Sequence, residues 1–261
     1  LQLAGRMDFP THLPTSYRFI ASMSSLDYFK QERLFTSGNT PVFNKNKEYF
    51  MKLQMSMPFL TSQKAEFSIG VGRLEDQYFQ TNVIDFVNDN RDQSSYNIFG
   101  GSVALEGNTL DSRQFATSGR KERLVANVYT GKEHYKDGVY NEESPMSKYE
   151  YTQSWLQISY ELERYSQLSS QFTLGQYIHS YYSSRNFSQN YTATMMQAGT
   201  FAPTAHSKIS YNEAFRANQF IGAGLIPIFK LNSVVQASLR IYANLPHYEG
   251  RRQQGILRKD V

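Results

Sequence analysis

Residues 48–57 read EYFMKLQMSM and residues 64–73 read KAEFSIGVGR. In the first stretch Tyr49, Met51, Leu53, Met55 and Met57 share one parity, and Glu48, Lys52, Gln54 and Ser56 share the other. Phe50 alone breaks the pattern. In the second, Ala65, Phe67, Ile69 and Val71 alternate with Lys64, Glu66, Ser68, Gly70 and Gly72. Side chains along a strand point to opposite faces in turn, so a period of two means a strand with one apolar and one polar face. The same alternation recurs at 153–162, where Leu156, Ile158, Tyr160 and Leu162 oppose Gln153, Gln157, Ser159 and Glu161. It recurs at 234–244, where Val235, Ala237, Leu239, Ile241 and Ala243 oppose Gln236, Ser238, Arg240 and Asn244. Weaker copies lie at 96–106, 122–131, 172–181 and 220–229. Residues 1–8 and 17–23 also read as strands, and 28–35 (YFKQERLF) extends the second or forms a third. The expectation is about 12 strands and no helix longer than two turns.

The connections carry a second signal. Short turns are expected near 58–63, 163–170 and 230–233, with a moderate one at 107–120. Between them fall long links near 75–95, 131–148, 183–216 and from 245 onward. Strict alternation of short and long is the signature of a membrane β-barrel, whose short turns lie at one rim and long loops at the other. Strands of about ten residues suit a tilted bilayer crossing. Tyr49, Phe50, Tyr149, Tyr151, Tyr181, Tyr182 and Tyr242 cluster near strand ends, as interfacial girdles do. The fold class expected is therefore all-β, an antiparallel transmembrane β-barrel. With more strands outside this chain it becomes part of a larger, 16-stranded type. Residues 1–261 read as one barrel domain, a piece of a longer protein, since no targeting signal opens it.

Composition agrees. Among 261 residues there are 19 Tyr and 18 Phe, only 19% charged residues and a net charge of +4. No cysteine is present, which excludes disulfides, thiolate metal sites and a cysteine nucleophile from this segment. The longest apolar run, 220–229, is too short for a membrane helix. Charges on the polar face are candidates for a water-filled or plugged lumen: Lys52, Lys64, Glu66, Glu106, Arg123, Glu161 and Arg240.

One segment is specific enough to carry a resemblance. Residues 106–119 read EGNTLDSRQFATSG. They resemble the N-x-L-D-x-x-x-F-P-T-x-G segment at a barrel turn of the outer-membrane assembly and two-partner secretion superfamily, the BamA-type barrels. The match places Asn108, Leu110, Asp111, Phe115, Thr117 and Gly119 on the motif, with Ala116 where proline is usual. Asn and Asp would cap backbone groups, Phe would pack at the interface, and Gly would allow a positive φ. The superfamily's arginine-glycine-aromatic motif, carried on an inward-folded loop, is not found. The nearest candidate, Phe215-Arg216-Ala217-Asn218, lacks the glycine, which counts against a secretion or insertion role.

Residues 201–208 (FAPTAHSK) and 213–220 (EAFRANQF) look like one branch, the barrels fused behind a patatin-like phospholipase in Gram-negative outer membranes. That resemblance implies a bacterial outer-membrane barrel that anchors, and helps export, an upstream lipid acyl hydrolase. The catalytic Ser-Asp dyad would then lie outside this chain. Its partners would be outer-membrane lipids and lipopolysaccharide, upstream domains of the same chain and other outer-membrane proteins, with no nucleic acid. The alternatives are an assembly or translocation barrel of the BamA type and a soluble all-β binding module.

No catalytic, cofactor-binding or metal-binding residues are expected within the segment. A G-x-S-x-G elbow is missing, and Asp137-Gly138 is followed by Val139, so it reads as a turn. His12, His134, His179, His206 and His247 form no ligand-spaced pair. Gly70, Gly72, Gly100, Gly101, Gly222 and Gly224 read as sites of close packing or bending. Arg251, Arg252, Arg258 and Lys259 read as solvated loop charges.

Overall fold

The computed structural model describes residues 2–10, 14–28, 44–78, 91–112, 115–136, 138, 148–185, 198–204, 207, 213–232 and 235–247. The expectation of a strand beyond residue 28, the basic cluster at Arg251, Arg252, Arg258 and Lys259, and His12 and His206 fall outside them.

The strands in chain order are β1 (Gln2–Pro10), β2 (Ser16–Tyr28), β3 (Asn44–Leu60), β4 (Gln63–Tyr78), β5 (Asp92–Asn108), β6 (Gly119–Lys136), β7 (Lys148–Gln167) and β8 (Phe172–Ser183). There follow β9 (Gly199–Thr200), β10 (Arg216–Ala217), β11 (Gln219–Lys230), β12 (Gln236–Ser238) and β13 (Ile241–His247). Eleven of them form one sheet of antiparallel neighbours in sequence order, with β12 and β13 both on β11. The two-residue strands β9 and β10 pair with each other off the sheet. Among the described residues the sheet is open, with β1 and the β12–β13 strand at its two edges. Among the described residues no helix is long and apolar enough to cross a membrane, which says nothing of crossing by strands. The all-β, antiparallel expectation holds, with a strand count close to the expected twelve.

Short and long links alternate as expected. The β3–β4 turn occupies 61–62 and the β7–β8 link 168–171, whereas β4 and β5 are separated by 79–91 and β6 and β7 by 137–147. Strands β3 to β7 run 16–20 residues, longer than the ten or so expected. The excess lies toward the long links, at Leu74, Asp76 and Tyr78 and at Asp92, Ser94 and Tyr96, all buried on one face. Polar Asp and Ser among these positions break the apolar alternation there, so sequence periodicity ends early while the ladder continues.

The stretch 234–244, expected as one strand, is two. Register places Pro227 opposite Leu239, between the paired rungs of β12 and β13. The Leu239 N–H donates to the Pro227 carbonyl at 3.1 Å. Pro227 has no N–H to return that bond, so the ladder is interrupted.

The two faces differ sharply. One face, called outer here, exposes Met51, Leu53, Phe67, Ile69, Val71 and Val128 at 40–60%. The inner face carries three clusters of buried residues. The first is Leu74, Tyr96, Ile98 and Trp155, with Phe50 and Tyr129 against it. The second is Ala116, Tyr165, Ile226 and Ile228, with Leu110. The third is Tyr177, Phe201, Ala217 and Phe220, with Tyr181 and Tyr242. Phe50, the exception in the opening pattern, thus belongs inside. Its ring covers Gly72 on β4, where a Cβ would come within 2.5 Å of it.

Candidate functional site on the inner face

The β5–β6 link is the stretch that carries the resemblance. The Asn108 side-chain oxygen accepts the Leu110 N–H at 3.0 Å. Asp111 accepts the Thr117 N–H at 2.9 Å and the Thr117 hydroxyl at 2.8 Å. Burial would raise the Asp111 pKa, but the hydrogen bonds from Thr117 and Ser118 outweigh it and hold the carboxyl down at about 2. Gly119 opens β6 at φ +91, and a Cβ there would overlap the Thr109 carbonyl, so glycine is required. Phe115, at φ 57, stands 68% exposed and away from the buried clusters, open to an interface rather than to the core. Leu110 and Ala116 pack instead, reaching Tyr165 on β7 and Ile226 and Ile228 on β11. The motif turn therefore leans across the inner face at its short-turn end. At the position where proline is usual, the small Ala116 side chain is 5% exposed.

Just above the turn runs a rung of alternating charge. Lys64, Glu106, Arg123, Glu161 and His179 are successive cross-strand partners on β4 to β8. Lys64 Nζ lies 3.0 Å from Glu66 and 3.5 Å from Glu106. Arg123 Nε lies 3.8 Å from the same Glu106 carboxylate. Glu161 accepts the Tyr177 hydroxyl at 3.0 Å. Opposite charges side by side across strands stabilise modestly when this exposed, by about 0.2–1 kcal/mol each. All seven candidate lumen charges share the inner face. Lys52 stands exposed on β3 away from the rung. Arg240 lies at the break between β12 and β13, within electrostatic reach of Tyr165 and Tyr242.

Within the link between β8 and β11, residues 198–204 and 213–217 lie against the inner face. Phe201 is 3% exposed and its ring covers Gly222 of β11, where a Cβ would overlap it. Strands β9 and β10 hold Arg216 against Thr200 and Ala217 against Gly199. Ala217 is 1% exposed and Arg216 is buried, acting electrostatically on Glu48 of β3 across the interior. Arg185, just past β8, is pinned the same way. Its guanidinium carbon sits 4.2 Å from the Tyr96 ring centroid and 4.7 Å from that of Trp155. A desolvated cation over an aromatic face is worth about 2 kcal/mol. Beside it Ser94 donates to Glu133 at 2.9 Å, both fully buried.

Sequence reading passed over Arg185 and set Phe215-Arg216-Ala217-Asn218 aside for want of a glycine. A signal for the first was present: residue 185 continues the inward parity of Tyr177, His179, Tyr181 and Ser183. No periodicity reports the inward placement of 198–204 and 213–217, because a link carries none.

Ser159 and the His179 Nε2 atom are 3.2 Å apart. Ser159 lies in a strand paired on both sides, so the backbone N–H groups of β7 beside its hydroxyl serve the ladder. Gly138 donates to Asp92 at 2.9 Å, which also accepts the Tyr135 hydroxyl, so this half of the Asp137-Gly138 pair caps a turn. Asp137 itself is outside the described residues. His134 pairs with Glu150 at 3.0 Å, and His247 stands at the far end of β13.

No family model matches this chain, and no curated protein matches it. Among solved structures it is similar to BamA from Haemophilus ducreyi lacking POTRA domains 1–3. Identity is 10% and the TM-score 0.40, over 95% of this chain and 59% of that one. The chain thus spans under two thirds of the length of the structure it is similar to. Likeness at this level does not define the class, which rests on the strand ladder: an antiparallel all-β sheet with an exposed apolar outer face and an inner face that combines packed clusters with ion pairs.

Proposed function

We propose that this chain is a transmembrane β-barrel domain of the bacterial outer membrane, without an active site of its own. The observation that carries this reading is the outer apolar band. On β4 it runs Ala65, Phe67, Ile69 and Val71 between Gln63 and Arg73. On β6 it runs Leu124, Ala126 and Val128 between Glu122 and Thr130, and on β7 Leu156 to Leu162 between Ser154 and Arg164. The polar limits are ten residues apart on β4 and β7 and eight on β6; Gln63 and Glu122 share one rung level while Thr130 and Ser154 share another. Ten residues at about 3.4 Å each span about 34 Å. At the usual ~45° tilt that is about 24 Å across a membrane, against a barrel's typical apolar band of about 25 Å. In water, so much exposed Ile, Leu, Phe and Val would be a liability.

The finer reading is that the barrel anchors, and helps export, an upstream patatin-like phospholipase domain. It rests on the resemblance of residues 201–208 and 213–220. Membrane lipids and lipopolysaccharide then meet the outer band, and upstream domains meet the short-turn rim. A second reading, an assembly or translocation barrel, is favoured by the inward fold that buries Arg216 opposite Glu48. Carbonate extraction of membranes tests the barrel: retention with heat-modifiable gel migration is expected, and release as a soluble monomer refutes it. The intact mass of the native polypeptide separates the finer readings. A mass far above 30.1 kDa with lipid acyl hydrolase activity supports the phospholipase anchor.

A further inference from the structure

The outer band has a gap at its centre. Phe19, Leu53, Ile69, Gly101, Val128 and Leu156 are successive cross-strand partners on β2 to β7. Every strand places a large apolar side chain at this level except β5, which places Gly101. Gly101 and Ala126 form the floor of a shallow outer cavity of about 500 Å³. Its walls are Leu53, Met55, Phe67, Ile69, Val103 and Val128. Tyr17, at one end, brings a phenol to the outer face and lies one rung nearer the short-turn rim, whereas Ser68 and Ser102, also in the lining, bond to each other at 2.6 Å.

Packing within the chain does not demand this glycine. At Gly72, Gly100, Gly131, Gly175, Gly222 and Gly224 a Cβ would come closer than 3.0 Å to a neighbour. At Gly101 the nearest atom would be 3.4 Å away, ordinary contact, and no positive φ is involved. A side chain fits there, and none is present. An apolar hollow of 300–1,000 Å³ is the size of a small-ligand site. Lined mostly by hydrocarbon in the middle of an apolar band, it suits an apolar ligand.

We propose that this groove holds one acyl chain of a membrane phospholipid, drawn from the leaflet on the short-turn side. The inference rests on the barrel reading above. The Tyr17 phenol marks the headgroup end, since an aromatic ring with a polar tip suits a position where one end is apolar and the other wet. The walls take the chain, whose ordering costs less in a preformed groove than along a flat surface.

The test is native mass spectrometry of the full protein released from nanodiscs of phosphatidylethanolamine and phosphatidylglycerol. The wild type should retain one phospholipid per chain. Gly101→Phe fills the groove and should lower that occupancy at least tenfold, and Val128→Trp should do so from the opposite wall. Val71→Phe, on the same face but outside the groove, should retain the lipid. Each variant is first checked for heat-modifiable migration, and a variant that fails this check is replaced by the other groove-filling one. Wild-type lipid retention in a folded groove-filling variant overturns the proposal and leaves the barrel standing. Release of the wild type by carbonate overturns both.

Discussion

On β4, Ile69 is 58% and Val71 51% exposed, while Leu74, across the strand and a few residues on, is 7% exposed. On β5, Phe99 is 56% exposed and its immediate neighbour Ile98 is 8%. The same backbone thus presents large apolar side chains to the outside and packs a second set within. Inside, bulk is matched by space, as where Phe50 covers Gly72 and Phe201 covers Gly222. Outside, side chains stand clear with no partner element over them among the described residues. The inner face behaves like a protein core with ion pairs set into it, and the outer face like a surface whose counterpart is solvent of another kind.

The sharpest way to break that comparison is a charge on the outer face. Ile69→Arg should cost roughly 2–4 kcal/mol of folding stability in lipid. Loss of heat-modifiable migration in reconstituted vesicles would report it. Lys52→Leu, on the inner face, should leave that migration unchanged.

Next is bulk at an inner glycine. Gly222→Val would force Phe201 off β11, and overpacking of this kind costs about 1–3 kcal/mol. Faster hydrogen exchange over 198–204 and 213–217, with the outer strands unchanged, is the expected readout. Equal exchange would mean that the inward fold does not depend on the Phe201–Gly222 contact.

The motif turn gives a smaller effect. Asp111→Ala removes both Thr117 hydrogen bonds and should cost about 1 kcal/mol, seen as a lower unfolding midpoint in urea. The turn also has a pH signature. The Asp111 pKa is depressed to about 2 in the folded chain, against about 3.9 in an unfolded one. Its contribution is therefore fully present above the unfolded value and is lost as pH falls from about 5 through 2. Asp111→Asn should abolish that part of the acid dependence, measured as the difference in midpoint between pH 6 and pH 2.5. Smallest of all, Gly101→Ala should shift the midpoint by no more than about 0.5 kcal/mol, since the added methyl meets nothing closer than 3.4 Å.

Much of this was legible in advance. The alternation in 48–57 and 64–73 assigned each residue to its face, and the register agrees: Met51 and Val71 pair outside, Phe50 and Gly72 inside. The seven candidate charges all fall inside because parity alone decides the face of a strand residue. Asn108, Asp111, Thr117 and Gly119 make the turn contacts that their residue types foretell, since a short link must satisfy its own backbone groups. Strand ends were less legible. Buried Asp76, Asp92 and Glu133 look like loop residues in sequence, and only pairing across the interior makes them part of long strands.

Sequence alone determined the strands, their faces and the alternation of short and long links, because these depend on a local period of two and on turn chemistry. Tertiary structure alone decided that Arg185 lies over Tyr96 and Trp155, and that Ala116 reaches Ile226 and Ile228. It likewise decided that 198–204 and 213–217 lie inward and that Gly101 floors a shallow outer groove. Those contacts join residues far apart along the chain. They exist only once the ladder has set neighbouring strands in register and brought their side chains to one level.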